Sequence, residues 1–480
     1  MELIFLIVPL MIAALACLCT QERKVMEALS MIAVCIVFIA STLIARRVVF
    51  FGPYAPSMFF NIDALGVIIM LLISVVGLAT MAYSIQYLRE EIRKRIITAS
   101  QVKLYYILLN LFLTAMLLAV SASNPIFTWI SIEATTLSTA FLISFYKKPN
   151  AIEAAWKYLI INSIGLLLGF FGTLLFFTSL IGLKDTGFAT WSTLLTYAKH
   201  FDPTIARIAF VFVVIGYGTK VGLAPMHTWL PDAHAKAPVP ISALLSGVLL
   251  NVAFVAVLRF KMLTDAALDA AFSQKLLIIF GLLSIIVAAL IMVTQKNYKR
   301  LLAYSSIENM GLAALGFGLG GIGIFAALLH MIYHSLIKSA MFLAAGNIFL
   351  KYSSTKLVNI RGMITVMPAT AILFLVGLLG ITGTPPCGVF FTKVLILIAG
   401  IKTHLFVTIA AIFFLALLFV GFLKNVLGMI YGKPSETIIV GEKKGVLLIA
   451  PAVLLAIALY LSFHIPAFLK SLITITMSQF

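Results

Sequence analysis

Apolar runs of about 18 residues or more recur from end to end of this chain, and few folds can accommodate them. A backbone in lipid must satisfy its own polar groups, which only helices and closed barrels achieve. Barrel strands alternate apolar and polar residues over about ten positions, whereas these runs are continuous, which selects helices. The sequence predicts an all-α polytopic membrane protein with about fourteen transmembrane helices, at about 3–20, 26–45, 61–87, 104–122, 124–146, 156–182, 205–235, 240–264, 273–294, 300–319, 321–350, 367–400, 404–432 and 446–464. The first run exceeds a signal-peptide apolar segment and has no small-residue cleavage site behind it, so it reads as a retained helix. With 62% hydrophobic and 10% charged residues, the chain is expected to hold no soluble domain. No loop is expected to carry a nucleotide, nucleic-acid or hydrolase site.

The net charge of +18 follows membrane topology and does not require a polyanionic ligand. With the predicted loops numbered alternately, one side carries twenty Lys and Arg, among them Arg23, Lys24, Arg93, Lys94, Lys236, Lys299, Arg300 and Lys444. The other carries ten: Arg46, Arg47, Lys184, Lys199, Arg207, Arg259, Lys261, Lys275, Lys402 and Lys470. Basic loops stay on the cytoplasmic side. The richer side is therefore assigned to the cytoplasm and both termini to the outside of a prokaryotic inner membrane. The four cysteines, Cys17, Cys19, Cys35 and Cys387, form no Cys-x-x-Cys pair or His/Cys cluster. This predicts no metal, iron–sulfur cluster or other cofactor in this chain.

Thirty of the 34 basic residues lie in these loops, and the other four, Lys157, Lys220, Lys338 and Lys393, fall inside apolar runs together with Glu133 and Glu308. Each such charge costs roughly 2.5–3.5 kcal/mol near a helix centre, so six unpaired ones cost on the order of 15–20 kcal/mol. Packing pairs or snorkelling can explain any single one, but the six repeat. From Glu133 the next two lysines inside apolar runs lie 24 and 87 residues on, and from Glu308 they lie 30 and 85 residues on. The runs are also interrupted in matching places. "KVGLAPMHTWLP" breaks the seventh helix just after Lys220, and "ITGTPPCGVFFTK" breaks the twelfth just before Lys393. Matching Gly and Pro interruptions mark internal repeats with a site at their interface. The chain is thus divided into N-terminal helices 1–3 (1–103), a first five-helix unit (104–264), a second (273–432) and a C-terminal helix 14 (433–480). Because five is odd, the two units are predicted to be inverted.

These residue types suit proton transfer. Burial favours a neutral lysine, and an approaching carboxylate favours the charged one. At an effective dielectric near 20, a pair about 4 Å apart gains roughly 4 kcal/mol, enough to decide whether the proton stays. Glu133 is expected to pair with Lys220 while it holds a proton, with Lys157 tuning that pair. His330, His334 and Lys338, spaced i, i+4, i+8, line one helical face and are expected to hand the proton to Lys393 for exit. Secondary candidates are Glu308, His227, His234 and Asp63. Asp63, Glu133 and Glu308 suit sodium as well as protons.

"GTKVGLAPMHTWLPDAHAKAPVPISALLSGVLL", "QKNYKRLLAYSSIENMG", "HMIYHSLIKSAMFLAAGN" and "GLLGITGTPPCGVFFTK" closely resemble the antiporter-like membrane subunits of respiratory complex I, Mrp cation/proton antiporters and membrane-bound nickel–iron hydrogenases. The resemblance runs from about residue 60 to about 430. It implies a fourteen-helix core with two inverted five-helix repeats and broken helices 7 and 12. It also implies proton-transfer roles for Glu133, Lys157, Lys220, His330, His334, Lys338 and Lys393. Two positions depart. Asn251 stands where many members carry a lysine or histidine linking the half-channels, and an amide does not carry a proton. Asn297 replaces a common Asp. Asn251 and "YSSIENMG" look most like the hydrogenase-associated, formate hydrogenlyase branch.

The resemblance implies an ion-translocating subunit, for H⁺ or Na⁺, of a redox-driven complex, with no catalytic centre of its own. The alternative is a subunit of a Mrp-type antiporter. Expected partners are other integral membrane subunits and a peripheral cytoplasmic redox module that carries the iron–sulfur clusters and the nickel–iron site. Nucleic acid is not among them.

Overall fold

The computed structural model describes residues 2–178, 189–434, 438–443 and 445–480. Lys184, Lys444 and the predicted end of the sixth run lie outside the described residues. The chain opens with α1 (Glu2–Cys19) and α2 (Arg23–Phe51), followed by an antiparallel hairpin of β1 (Tyr54–Ser57) and β2 (Phe60–Ile62). Then come α3 (Ala64–Arg93), α4 (Ala99–Ser121), α5 (Pro125–Ile143), α6 (Pro149–Thr178) and the short α7 (Trp191–Tyr197). The middle consists of α8 (Pro203–Val221), α9 (Trp229–Lys236), α10 (Val239–Leu244) and α11 (Leu250–Ala267), the last two joined by a π-helical turn at Leu245–Leu249. After these follow α12 (Ala270–Thr294), α13 (Tyr298–Leu319), α14 (Ile322–Tyr352), α15 (Met363–Val366), α16 (Pro368–Thr382), α17 (Gly388–Ile401), α18 (Leu405–Tyr431), α19 (Val446–Phe463) and α20 (Ala467–Met477).

Local chemistry sets many of the helix starts. Asn124 and Asp202 each accept two backbone N–H bonds ahead of Pro125 and Pro203, the pairing of an N-cap acceptor with proline in the first turn. Thr98 and Gln101 form a capping box. Asn297 accepts the N–H groups of Lys299 and Arg300, a cap that Asn and Asp supply equally well.

Among the described residues, twelve helices are long and apolar enough to cross a membrane. The predicted fourteen differ from these at two places, each with a physical reason. The twelfth run is split into α16 and α17, of 15 and 14 residues, neither of which spans alone. The tenth, α13, carries "YSSIEN" and is buried along almost its whole length, so it is solvated by protein. An extra helix, α20, follows the last span and packs back against α3.

The centre is α11 and α14, buried almost completely from Leu250 to Thr264 and from Gly323 to Ile348. Polar side chains on these helices therefore face protein. The periphery exposes Phe5, Phe141, Phe171 and Phe413, as lipid contact requires. Helices within each half approach closely through glycine: a Cβ on Gly216 of α8 would lie 2.2 Å from the Gly169 nitrogen of α6. Such close contact suits a membrane, where van der Waals packing drives association.

Burial corrects three loop assignments. Arg259 and Lys261 lie within α11 at 3% and 0% exposure, and Lys299 lies in the first turn of α13 at 4%. Each has found a partner that makes burial tolerable. Arg259 donates to the carbonyls of Val120 and Ala122 and meets Asp63 at 3.2 Å. Lys261 pairs with Asp265 one turn on, and Lys299 donates to the Ala237 carbonyl at 2.8 Å.

Candidate functional site

Lys220 stands in the last turn of α8, which ends at Gly222 in the left-handed region (φ 83°). The chain resumes helical geometry at Met226–Thr228 and α9. The backbone groups released by this break are satisfied from neighbours, as burial demands. The Trp229 indole N–H donates to the Thr219 carbonyl at 2.8 Å, and Ser284 Oγ accepts from the Ala224 N–H at 2.9 Å. Lys220 Nζ is fully buried and donates to Tyr158 OH at 2.6 Å and Thr136 Oγ1 at 2.8 Å.

The expected Glu133–Lys220 pair is not formed in this structure. Glu133 Oε1 accepts from Ser163 Oγ at 2.8 Å and Oε2 has no hydrogen-bond partner. Thr136 lies three residues after Glu133 on α5, so one helical face presents the carboxylate and the hydroxyl side by side. Lys157 is not buried beside this pair as expected. Its side chain is 50% exposed and pairs with Glu153 at 2.6 Å and Asp232 at 3.7 Å. The reason is helix start and register: α6 begins at Pro149, about two turns earlier, and neighbouring Tyr158 takes the inward face.

In the second half, Lys393 of α17 follows the break at Gly383–Cys387. Its ammonium lies 2.9 Å from Glu308 of α13 and donates to the freed Thr382 carbonyl at 3.2 Å. Ser462 Oγ accepts from the Gly388 N–H at 2.7 Å. Lys338 of α14 is fully buried and donates to the Leu302 carbonyl at 2.5 Å and Ser305 Oγ at 2.9 Å. Ser305 and Glu308 are one turn apart on α13, which brings Lys338, Glu308 and Lys393 into one polar line. His330 Nδ1 lies 2.9 Å from Thr392 Oγ1, adjoining Lys393 in sequence. His334, between His330 and Lys338 on α14, has both ring nitrogens buried and without a partner.

Between the halves, Asn251 follows the π-helical turn and donates to Ser335 Oγ at 2.7 Å, and Ser246 and Ser306 hydroxyls meet at 2.7 Å. A Cβ on Gly247 in that turn would fall 2.0 Å from Ser339 Oγ, so α14 presses directly on it. His227 is nearly buried with Nδ1 unpartnered, and His234 is buried with neither nitrogen partnered. Asp63 caps α3, accepting the Gly66 N–H at 2.7 Å beside Arg259. Sequence reasoning passed over the hydroxyls of Tyr158, Thr136, Ser163 and Ser305. It also passed over the buried Glu91, although Tyr83, Tyr87 and Glu91 recur at helical spacing on α3, all fully buried.

Residues 122–419 match the sequence profile described as "NADH:quinone oxidoreductase/Mrp antiporter, TM". The chain belongs to this family. Residues 49–95 match a second profile, "NADH-Ubiquinone oxidoreductase (complex I), chain 5 N-terminus". The antiporter-like chain is 41% identical over 345 residues to the hydrogenase-4 component F homolog of Methylacidiphilum infernorum, covering 71% of this chain and 72% of that one. It is 28% identical over 369 residues to hydrogenase-4 component B of Escherichia coli, covering 73% of this chain but 52% of that one. The fold is that of a chain in the membrane-bound sulfane sulfur reductase, an archaeal respiratory membrane complex, with a TM-score of 0.88 at 22% identity over 100% of this chain and 97% of that one.

Proposed function

We propose that this antiporter-like chain moves protons across a prokaryotic inner membrane as one subunit of a redox-driven complex of the membrane-bound hydrogenase kind. The observation that carries the reading is the pair of helix breaks, each set against a buried lysine. A helix break leaves backbone polar groups and room for water in the bilayer interior, which only a functional site repays.

In this reading 104–264 and 273–432 are inverted units, each with one lysine at its break. Lys220 exchanges its proton as Glu133 approaches and withdraws. Lys338 receives it, and the Glu308–Lys393 pair, flanked by Thr392 and His330, releases it on the other side. His334 adds a second imidazole on the Lys338 face, and Lys157 fixes α6 to α9 through Asp232. Asn251 orients hydroxyls and water between the units and does not itself take the proton. The basic loops face the cytoplasm and both termini the outside. Iron–sulfur and nickel–iron chemistry belongs to partner subunits in a peripheral cytoplasmic module, coupled to this chain through conformation or charge. Sodium is the competing ion, with Glu133 and Glu308 as its oxygen ligands.

The family description also names Mrp antiporters, which supports a second reading: a subunit that exchanges ions on a gradient alone. Mass spectrometry of the complex copurified with a tagged chain in mild detergent separates the two. Hydrogenase large and small subunits in the band are expected. Small membrane subunits alone would overturn the redox-driven reading in favour of the antiporter.

A further inference from the structure

A crevice of about 190 Å³ opens beside α9 and is lined by Tyr87, Tyr146, Lys148, Asn150, Lys236 and Lys299 among others. A liquid water occupies roughly 30 Å³, so several fit, and the lining supplies the polar partners they require. Behind the crevice lies Glu91, fully buried near the end of α3. Its Oε1 accepts from the Tyr146 hydroxyl at 2.6 Å, while Oε2 has no hydrogen-bond partner. A buried carboxylate with an unpartnered oxygen beside a crevice with polar lining is a costly arrangement for packing alone.

The line continues inward. Lys299 is held by the Ala237 carbonyl just past the end of α9. Three residues earlier on the same segment is His234, buried with neither ring nitrogen hydrogen-bonded. The His234 ring stacks on Phe342 at 4.8 Å, and the Lys338 ammonium lies 6.0 Å from that same ring, one turn away on α14. Phe342 thus adjoins both the imidazole and the ammonium.

We propose that this crevice is the cytoplasmic proton mouth of the subunit, delivering protons through Glu91, Lys299 and His234 to Lys338, with Phe342 beside the last step. The proposal rests on the proton-transfer reading and on the sidedness given above. In each transfer only O–H and N–H bonds change. A hydronium ion in the crevice gives a proton to the Glu91 carboxylate and is left as water, and the acid gives its proton to the free-base amine of Lys299. The ammonium passes one to a ring nitrogen of His234, and the opposite ring N–H goes through water to the free-base amine of Lys338. One positive charge moves inward.

The test uses the intact complex in native membrane vesicles, with Cys19, Cys35 and Cys387 replaced by Ser. Asn150→Cys is treated with a charged, membrane-impermeant methanethiosulfonate reagent in inside-out and right-side-out vesicles, and proton uptake is followed by acridine-dye quenching during turnover. Labelling is expected only in inside-out vesicles, with translocation lowered about tenfold or more. Lys299→Arg is expected to lower it similarly, because Arg keeps the bond to the Ala237 carbonyl but does not release its proton. Glu91→Gln, which keeps an acceptor for Tyr146, should lower it several-fold. Labelling of Asn150→Cys from the outside, or normal translocation after labelling or in Lys299→Arg, would overturn the mouth. Lys220→Ala distinguishes the two levels. If it abolishes translocation while Lys299→Arg pumps normally, only the mouth is wrong; if Lys220→Ala itself pumps normally, the reading beneath it is wrong as well.

Discussion

At the first helix break Lys220 donates to two neutral hydroxyls, those of Tyr158 and Thr136, whereas at the second Lys393 lies 2.9 Å from the Glu308 carboxylate and donates to a freed carbonyl. The two halves thus hold one residue type in two conditions. Lys220 has a carboxylate available on α5, but Glu133 is turned to Ser163. Glu133 and Lys220 are thus apart while Glu308 and Lys393 are together, an asymmetry that the proposed relay would use if a proton is to leave one lysine before the next accepts it. The difference also separates what each partner contributes: hydroxyls orient an amine of either charge, while a carboxylate opposes the desolvation of an ammonium.

The comparison can be broken through stability, beginning with the carboxylates. Glu308→Gln removes the counter-charge of a buried lysine and should destabilise the chain by about 3–5 kcal/mol. Glu133→Gln, which leaves every Lys220 contact in place, should fall within about 1 kcal/mol. Thermal unfolding of the purified complex in detergent compares them, and equal losses would show the halves to be alike. Next in size is Tyr158→Phe. It deletes a hydrogen bond from a charged donor, worth about 1.5–3 kcal/mol, and should slow translocation in proteoliposomes while Thr136 still holds Lys220. Thr392→Val deletes the hydroxyl that partners His330 Nδ1 and should cost about 0.5–1.5 kcal/mol, with a smaller effect on translocation. Smallest is Lys157→Ala. An exposed ion pair contributes about 0–1 kcal/mol, so near-wild-type melting and translocation are expected, and a large loss would return Lys157 to the proton path.

The helices were legible in the sequence because lipid leaves so few alternatives: continuous apolar runs had to become spans, and Gly and Pro had to interrupt two of them. Intramembrane Lys220, Lys338 and Lys393 stood out for the same reason, since their expense in lipid is large and local. Other features depend on rotation and on contacts between distant segments. Lys157 reads as buried until α6 is seen to begin at Pro149 and turn it outward. Arg259, Lys261 and Lys299 read as loop charges because they stand near the ends of apolar runs, where hydropathy does not show which residues the fold turns inward. The Glu308–Lys393 contact spans 85 residues of sequence, and no spacing rule announces that this pair closes while its counterpart stays open. Glu91 was hidden by its company in "LREEIR", where one buried acid looks like its solvated neighbours.

Translocation by Lys220→Ala in the intact, reconstituted complex is the most direct test of the account. Loss of proton movement by about a hundredfold or more, with the subunits still copurifying in wild-type proportions, is the predicted result. Wild-type proton movement, or collapse of the complex instead of its pumping, would contradict it and leave Lys220 a packing residue.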